Sequence, residues 1–263
     1  MTRHVLPASW DARLAGYEWY RDGAGESGGV IHRLTRAGAP SLYLKHGTGA
    51  VAAAIVDEAV RLRWLQGRVP AARPVAFADE DGAAWLLTTG VVGRTGDAWL
   101  DHDPALLPVI VAAFARFLTQ LHALPVDDCP FEAGAALRLA AARRRVGAGE
   151  VDVEDFADDH LGWDAERMLA HTEALYDADL HQRVVTHGDF SLGNLLMDER
   201  GDVTGCIDVG LLGVADPYQD IAILCANLGE LDAAAERAFL DAIGVASPDR
   251  QRMDFHRCLD ELF

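Results

Sequence analysis

Short extended segments dominate the first third of the chain. Tyr17 to Tyr20 leads into a glycine-rich stretch from Asp22 to Gly29, and Val30 to Thr35 resumes an extended pattern. Ala37 to Pro40 makes a turn, and Ser41 to Lys45 is a further short strand. From Ala52 to Leu65 the rhythm changes: Ile55, Val56, Ala59, Leu62 and Leu65 fall at helical spacing, and Pro70 and Pro74 end the run. Ala83 to Thr88 reads as one more strand. Past residue 93 the pattern is helical, with Val111, Phe114, Phe117, Leu118 and Leu121 on one stripe before Leu124-Pro125. Ala133 to Arg145 is an Ala/Arg-rich helix. Val184 to Thr186 and Val203 to Ile207 interrupt as short strands around a loop, and helices run from Asp220 to the end. A strand-rich first third followed by a helical remainder predicts an α+β chain of two lobes. There is no internal repeat.

Charge narrows the function classes. Lys and Arg total 23 against 41 Asp and Glu in 263 residues, a formal net charge of −18. Such a surface repels nucleic acid and anionic membranes and attracts cations. No apolar run approaches the roughly 20 residues that span a bilayer, and residues 1–7 lack the apolar stretch of a signal peptide. Cys129, Cys206, Cys225 and Cys258 form no C-x-x-C pair, so reduced, mostly buried thiols and a cytoplasmic location are expected.

The strongest chemical signal is His187-Gly-Asp-Phe-Ser-Leu-Gly-Asn194, followed fourteen residues later by Asp208. A carboxylate five residues before an Asn, with a second carboxylate after a short hairpin, suits phosphoryl transfer. One carboxylate orients the attacking hydroxyl and accepts its proton, a role that fits Asp189. Hard oxygen ligands hold Mg²⁺ against the triphosphate, a role that fits Asn194 and Asp208. Upstream, Gly23 to Val30 fits G-x-G-x-x-G-x-V, with an extended pattern after it rather than a helix. That arrangement suits a hairpin whose backbone amides and Ser27 hydroxyl, beside Gly28, fold over ATP phosphates. Lys45 at the end of an apolar strand and Glu58 on the next helix stand in the order of a phosphate-binding Lys and its partner. His187 and His122 read as packing or capping groups. Between Glu150 and Asp159 six carboxylates lie within ten residues, a patch that would draw a polycation.

These elements resemble the aminoglycoside phosphotransferase family, and its 3′-phosphotransferases most of all. The resemblance is carried by Val185-Thr-His-Gly-Asp189, Gly205 to Ala222, Asp128-Cys-Pro-Phe131 and Leu259-Asp-Glu-Leu-Phe263, and runs over nearly the whole chain. It implies a protein-kinase-like fold: a small β-rich ATP-binding lobe (1–88), a hinge (89–93) and a larger, mainly helical catalytic and substrate lobe (94–263). It further implies adenine bonded to hinge backbone near Thr88 and Gly90, and a cationic aminoglycoside as substrate. Substrate amines would be met by Asp158, Asp159, Glu230, Asp260, Glu261 and the carboxylate of Phe263. The implied activity is ATP- and Mg²⁺-dependent phosphorylation of a drug hydroxyl, the 3′-hydroxyl first, conferring antibiotic resistance and carried out by a monomer. The rival readings are a kinase for another small amine-bearing alcohol or sugar, and a low-activity drug- or nucleotide-binding homologue. The second is suggested by Leu211, Ala226 and Asn227, which belong to three departures from the family pattern. Leu211 stands where relatives commonly carry Arg, and Ala226 and Asn227 stand where they carry Arg then Asp. The Lys45 to Glu58 interval is also about three residues short of that in close relatives.

Overall fold

A computed structural model describes residues 6–7, 10–22, 29–178 and 182–263. Ser27 and Gly28, singled out in the glycine-rich stretch, lie outside them. The chain divides into two compact units, 1–91 and 92–263.

The first unit is an antiparallel sheet of five strands in the order β1-β2-β3-β5-β4 with one helix. The strands are β1 (Glu18–Asp22), β2 (Val30–Thr35), β3 (Leu42–Thr48), β4 (Pro74–Glu80) and β5 (Ala83–Thr89), and α1 is Ala50–Leu65. Alternation along β2 and β3 sends Leu34, Leu42 and Leu44 to one face, where they pack with Trp10, Leu14 and Leu87. The helical stripe of α1 buries Ile55, Ala59, Leu62 and Leu65, as its spacing predicts. Strand β4 is not evident in the sequence, because Pro74 reads as a breaker. It is the first residue of an edge strand, where a missing N–H costs no ladder bond.

The second unit opens with β6 (Arg94–Thr95), α2 (Gly96–His102), α3 (Leu107–His122), α4 (Ala135–Ala148) and α5 (Ala165–Leu175). Then come β7 (Val184–Thr186), β8 (Leu195–Met197), β9 (Val203–Cys206) and β10 (Gly213–Ala215), and finally α6 (Tyr218–Leu231), α7 (Ala233–Ala242) and α8 (Arg250–Asp260). β7 pairs with β10, and β8 pairs with both β6 and β9, all antiparallel. One expectation needs correcting. Pro104–His122, 19 residues at a mean hydropathy of 1.6, is long and apolar enough to cross a bilayer. Here it is a core helix, with Ile110, Phe114, Phe117, Leu118 and Leu121 all buried. A second core gathers Leu139, Phe156, Met168, Phe255, Leu259 and Leu262 where α4, α5 and α8 meet. The acid-rich run from Glu150 to Asp159 holds two short 3-10 turns, Val153–Asp155 and Asp158–His160. All four thiols are free.

Candidate active site

In the first unit, Lys45 on β3 and Glu58 on α1 form a two-pronged ion pair, Nζ lying 3.0 and 2.9 Å from the two carboxylate oxygens. Glu58 is buried, so the pair fixes the ammonium rather than decorating a surface. The short interval between the two residues therefore does not break their contact. One expected nucleotide contact changes. The Gly90 N–H donates to the Ser41 carbonyl at 2.8 Å, extending the sheet, so Gly90 does not have that amide to offer adenine. Thr88 is buried within β5, opposite Tyr43 on one side and Pro74 on the other.

In the second unit, β7 delivers the chain to a loop, 187–194, that is fastened at nearly every residue. Asp220, fully buried on α6, accepts from the His187 N–H and the Gly188 N–H, both at 2.9 Å, and lies 3.0 Å from His122 Nε2. The His187 ring is sealed in, with Nε2 donating to the Ile207 carbonyl at 3.0 Å and Nδ1 accepting from the Asp189 N–H at 3.3 Å. A histidine so engaged orients the loop. The Gly188 carbonyl accepts from Arg138 at 2.8 Å and from Gln219 at 3.3 Å. Gly188 has φ +93°, and a Cβ there would lie 2.5 Å from the Leu211 carbonyl oxygen, so only glycine fits. Phe190 is fully buried between Phe114 and Phe117, at ring distances of 6.1 and 6.4 Å. The Leu192 N–H donates to Asn227 Oδ1 at 3.1 Å.

These fastenings present three polar groups. Asn194 donates through Nδ2 to the Asp189 carboxylate at 2.8 Å and to its carbonyl at 3.0 Å. A carboxylate can only accept here, so the amide orientation is fixed and Oδ1 becomes the end open to a cation. Leu195 pairs with Cys206, and the Ile207 N–H donates to the Asn194 carbonyl at 3.0 Å, which brings Asp208 to the same end of the hairpin. Asp208 is exposed and adopts the left-handed conformation, φ 55° and ψ 45°. Such strain in a non-glycine residue is held only where the surroundings demand it. An amide oxygen and a carboxylate are the hard donors that suit Mg²⁺.

The acidic residues gather around α8. Arg138, itself buried, donates from its other arm to Asp260 at 3.4 Å and lies 4.8 Å from the Phe263 ring. Asp260 is raised to about 6, first by the protein packed around its carboxyl and further by the Asp189 and Glu261 charges, with Arg138 pulling the other way. Asp260 and Asp189 thus sense each other. Glu261 accepts from the Ala157 N–H at 3.2 Å and meets His160 Nδ1 at 2.9 Å, while Asp159 lies 3.5 Å from Arg257. Asp158 stands exposed on the same turn as Asp159. Glu230 is exposed on α6, three residues past Asn227, and none of these contacts joins it to the group. Two central residues carry no local signal in the sequence. Arg138 sits in an Arg-rich helix, and Asp220 draws notice only as part of a longer stretch.

The fold and loop define a phosphotransferase, and a family model agrees. The chain belongs to the phosphotransferase enzyme family, matched over residues 19–256. It is 43% identical to an aminoglycoside 3′-phosphotransferase of Escherichia coli, over 100% of this chain and 96% of the relative. The crystal structure of an aminoglycoside-3′-phosphotransferase of type VIII superposes with a TM-score of 0.88 at 33% identity, over 97% of both chains. An aminoglycoside phosphotransferase from Streptomyces rimosus, solved with ADP and streptomycin, gives 0.83 at 28% identity, over 96% of this chain and 95% of that one.

Proposed function

We propose that this protein transfers the γ-phosphoryl group of ATP to a hydroxyl of an aminoglycoside antibiotic, the 3′-hydroxyl first, and so confers resistance. The observation that carries the reading is the pairing of Asp189 with Asn194 on a loop anchored by Asp220, within electrostatic reach of the C-terminal acid Asp260.

Asp189 aligns the acceptor hydroxyl and takes its proton, and Asn194 supports one carboxylate oxygen while the other faces the substrate. Lys45, steadied by Glu58, meets the α- and β-phosphates. Asn194 Oδ1 and Asp208 would hold Mg²⁺, which supplies charge neutralisation at the phosphates when bound. Ser27 and Gly28 complete the phosphate contacts, and the Thr88 to Gly90 segment meets adenine, without the Gly90 amide. Most of the rate enhancement then comes from positioning and charge.

Asp158, Asp159, Glu230, Asp260, Glu261 and the Phe263 terminus would receive the substrate's ammonium groups. Asp159, Asp260 and Glu261 already have internal partners, so they are pre-oriented and share their charge with the drug. The protein works as a monomer in the cytoplasm, where ATP is available. The Asn227 contact with Leu192 favours a working kinase over an inactive binding homologue, because the departure from the family pattern keeps an acceptor for the loop.

The test is Mg-ATP turnover on kanamycin-like aminoglycosides paired with counterparts lacking the 3′-hydroxyl. Turnover only with the 3′-hydroxyl is expected. Turnover on both members of each pair overturns the regiochemistry, and turnover only on simpler amino alcohols replaces the substrate class.

A further inference from the structure

A second cluster of chemically capable groups lies beside the acid-rich turn. His160 ends the 3-10 turn Asp158–His160, His171 is on α5, and Cys258 is on the last turns of α8. One nitrogen from each histidine and the Cys258 sulfur all lie within 4.8 Å of one another. His160 Nε2 is 3.9 Å from Cys258 Sγ. The Trp163 ring packs against both imidazoles, at 4.7 Å from His160 and 5.3 Å from His171.

The surroundings orient these groups as a metal site requires. The Glu261 carboxylate can only accept, so His160 Nδ1 carries the proton and Nε2 presents its lone pair towards Cys258. A carboxylate fixing the far nitrogen of a ligating histidine is the usual outer support of zinc sites. The nitrogen and sulfur donors of a tetrahedral zinc stand about 3.3–3.6 Å apart, given bonds of about 2.0–2.1 Å to N and 2.3 Å to S. His160 and Cys258 are already near that spacing. His171 is exposed and can close the remaining gap by side-chain rotation. A thiol, imidazole and carboxylate in a row also describe a cysteine nucleophile. Cys258 is only 3% exposed, which leaves no approach for a substrate.

We propose that His160, His171 and Cys258 bind a divalent ion that favours sulfur and imidazole, Zn²⁺ foremost, with the fourth position open to water on the His171 side. Binding forms a bond from sulfur to zinc and breaks the S–H bond, and the proton leaves to solvent. The ion ties the acid-rich turn, α5 and α8 together at one point. Because His160 also holds Glu261, it stiffens the wall assigned above to substrate amines, and that consequence alone rests on the proposed function.

The experiment titrates Zn²⁺ alone into chelator-treated, nucleotide-free protein, following bound metal per chain and the thermal midpoint. One equivalent and a raised midpoint are expected. His171→Ala, an exposed position outside the phosphotransfer machinery, should fold normally, keep Mg-ATP turnover in zinc-free buffer, and lose zinc affinity by about tenfold or more. Co²⁺ in place of zinc should give a thiolate-to-cobalt charge-transfer band that Cys258→Ser abolishes. Absence of stoichiometric binding, undiminished affinity in His171→Ala, or a cobalt complex without the thiolate band would each overturn the site. None of these readouts depends on which hydroxyl the enzyme phosphorylates.

Discussion

Asp189 owes its position to groups that are distant in sequence, and its own role can be separated from theirs. Asp189→Ala should abolish transfer while leaving nucleotide affinity near normal, since the Lys45–Glu58 pair and the Asp220 anchor are untouched. Retained transfer in that variant would remove the base assignment. Asp260 makes a pH-dependent prediction. Its carboxyl, raised to about 6, is ionised at pH 7.5 and takes up a proton as pH falls through 6. In the role proposed for Asp260 only the carboxylate pairs with a substrate ammonium, so that proposal predicts aminoglycoside affinity weakening from pH 7 to 5. Asp260→Asn should start weaker and lose that part of the slope, as calorimetric titration can show. The Asp189–Asn194 pairing proposed for catalysis was legible because its spacing is local, both residues lying within one loop. Arg138 and Asp220 were not, since each acts across tens of residues on backbone atoms that a sequence does not display.

The elements show the same division. Helices with a wide apolar stripe, α1 and α3, could be read directly, and so could the alternating strands β2, β3 and β5. The three-residue strands β8 and β10 could not, because they exist through pairing with β9 and β7 and not through a periodic pattern of their own. On α8, His256 is 4% exposed, and burial, reinforced by Arg138 and Arg252, lowers it to about 3. In the unfolded chain it titrates near 6.5, so between pH 6.5 and 3 the unfolded state binds the extra proton. Stability contributed by the neutral ring is complete above pH 6.5 and is lost progressively as pH falls from there towards 3. His256→Phe should remove that slope, and denaturant titrations at pH 7 and pH 5 would reveal it as a smaller difference than in the parent. An equal difference in the two proteins would place the acid sensitivity elsewhere.

At the scale of the molecule, a net charge of −18 acts on the two substrates with opposite sign. It draws a polycationic drug and repels the ATP anion, and both effects fade as the screening length shrinks from about 10 Å at 0.1 M salt. Raising ionic strength should therefore lower kcat/KM for the aminoglycoside several-fold without lowering it for Mg-ATP, a contrast that steady-state kinetics at two salt concentrations would test. The tie made by Arg138 has a consequence for how such an enzyme can adapt. One guanidinium holds the Gly188 carbonyl, Asp260 and the Phe263 ring, so changes at the C-terminal end reach the phosphotransfer loop through it. Among the described residues, Asp159 meets Arg257 and neither it nor Asp158 is joined to Arg138. Under selection by a new antibiotic, variants that widen the range without slowing turnover should accumulate at residues 158–159, and those at 260–263 should arise together with compensating changes around Arg138.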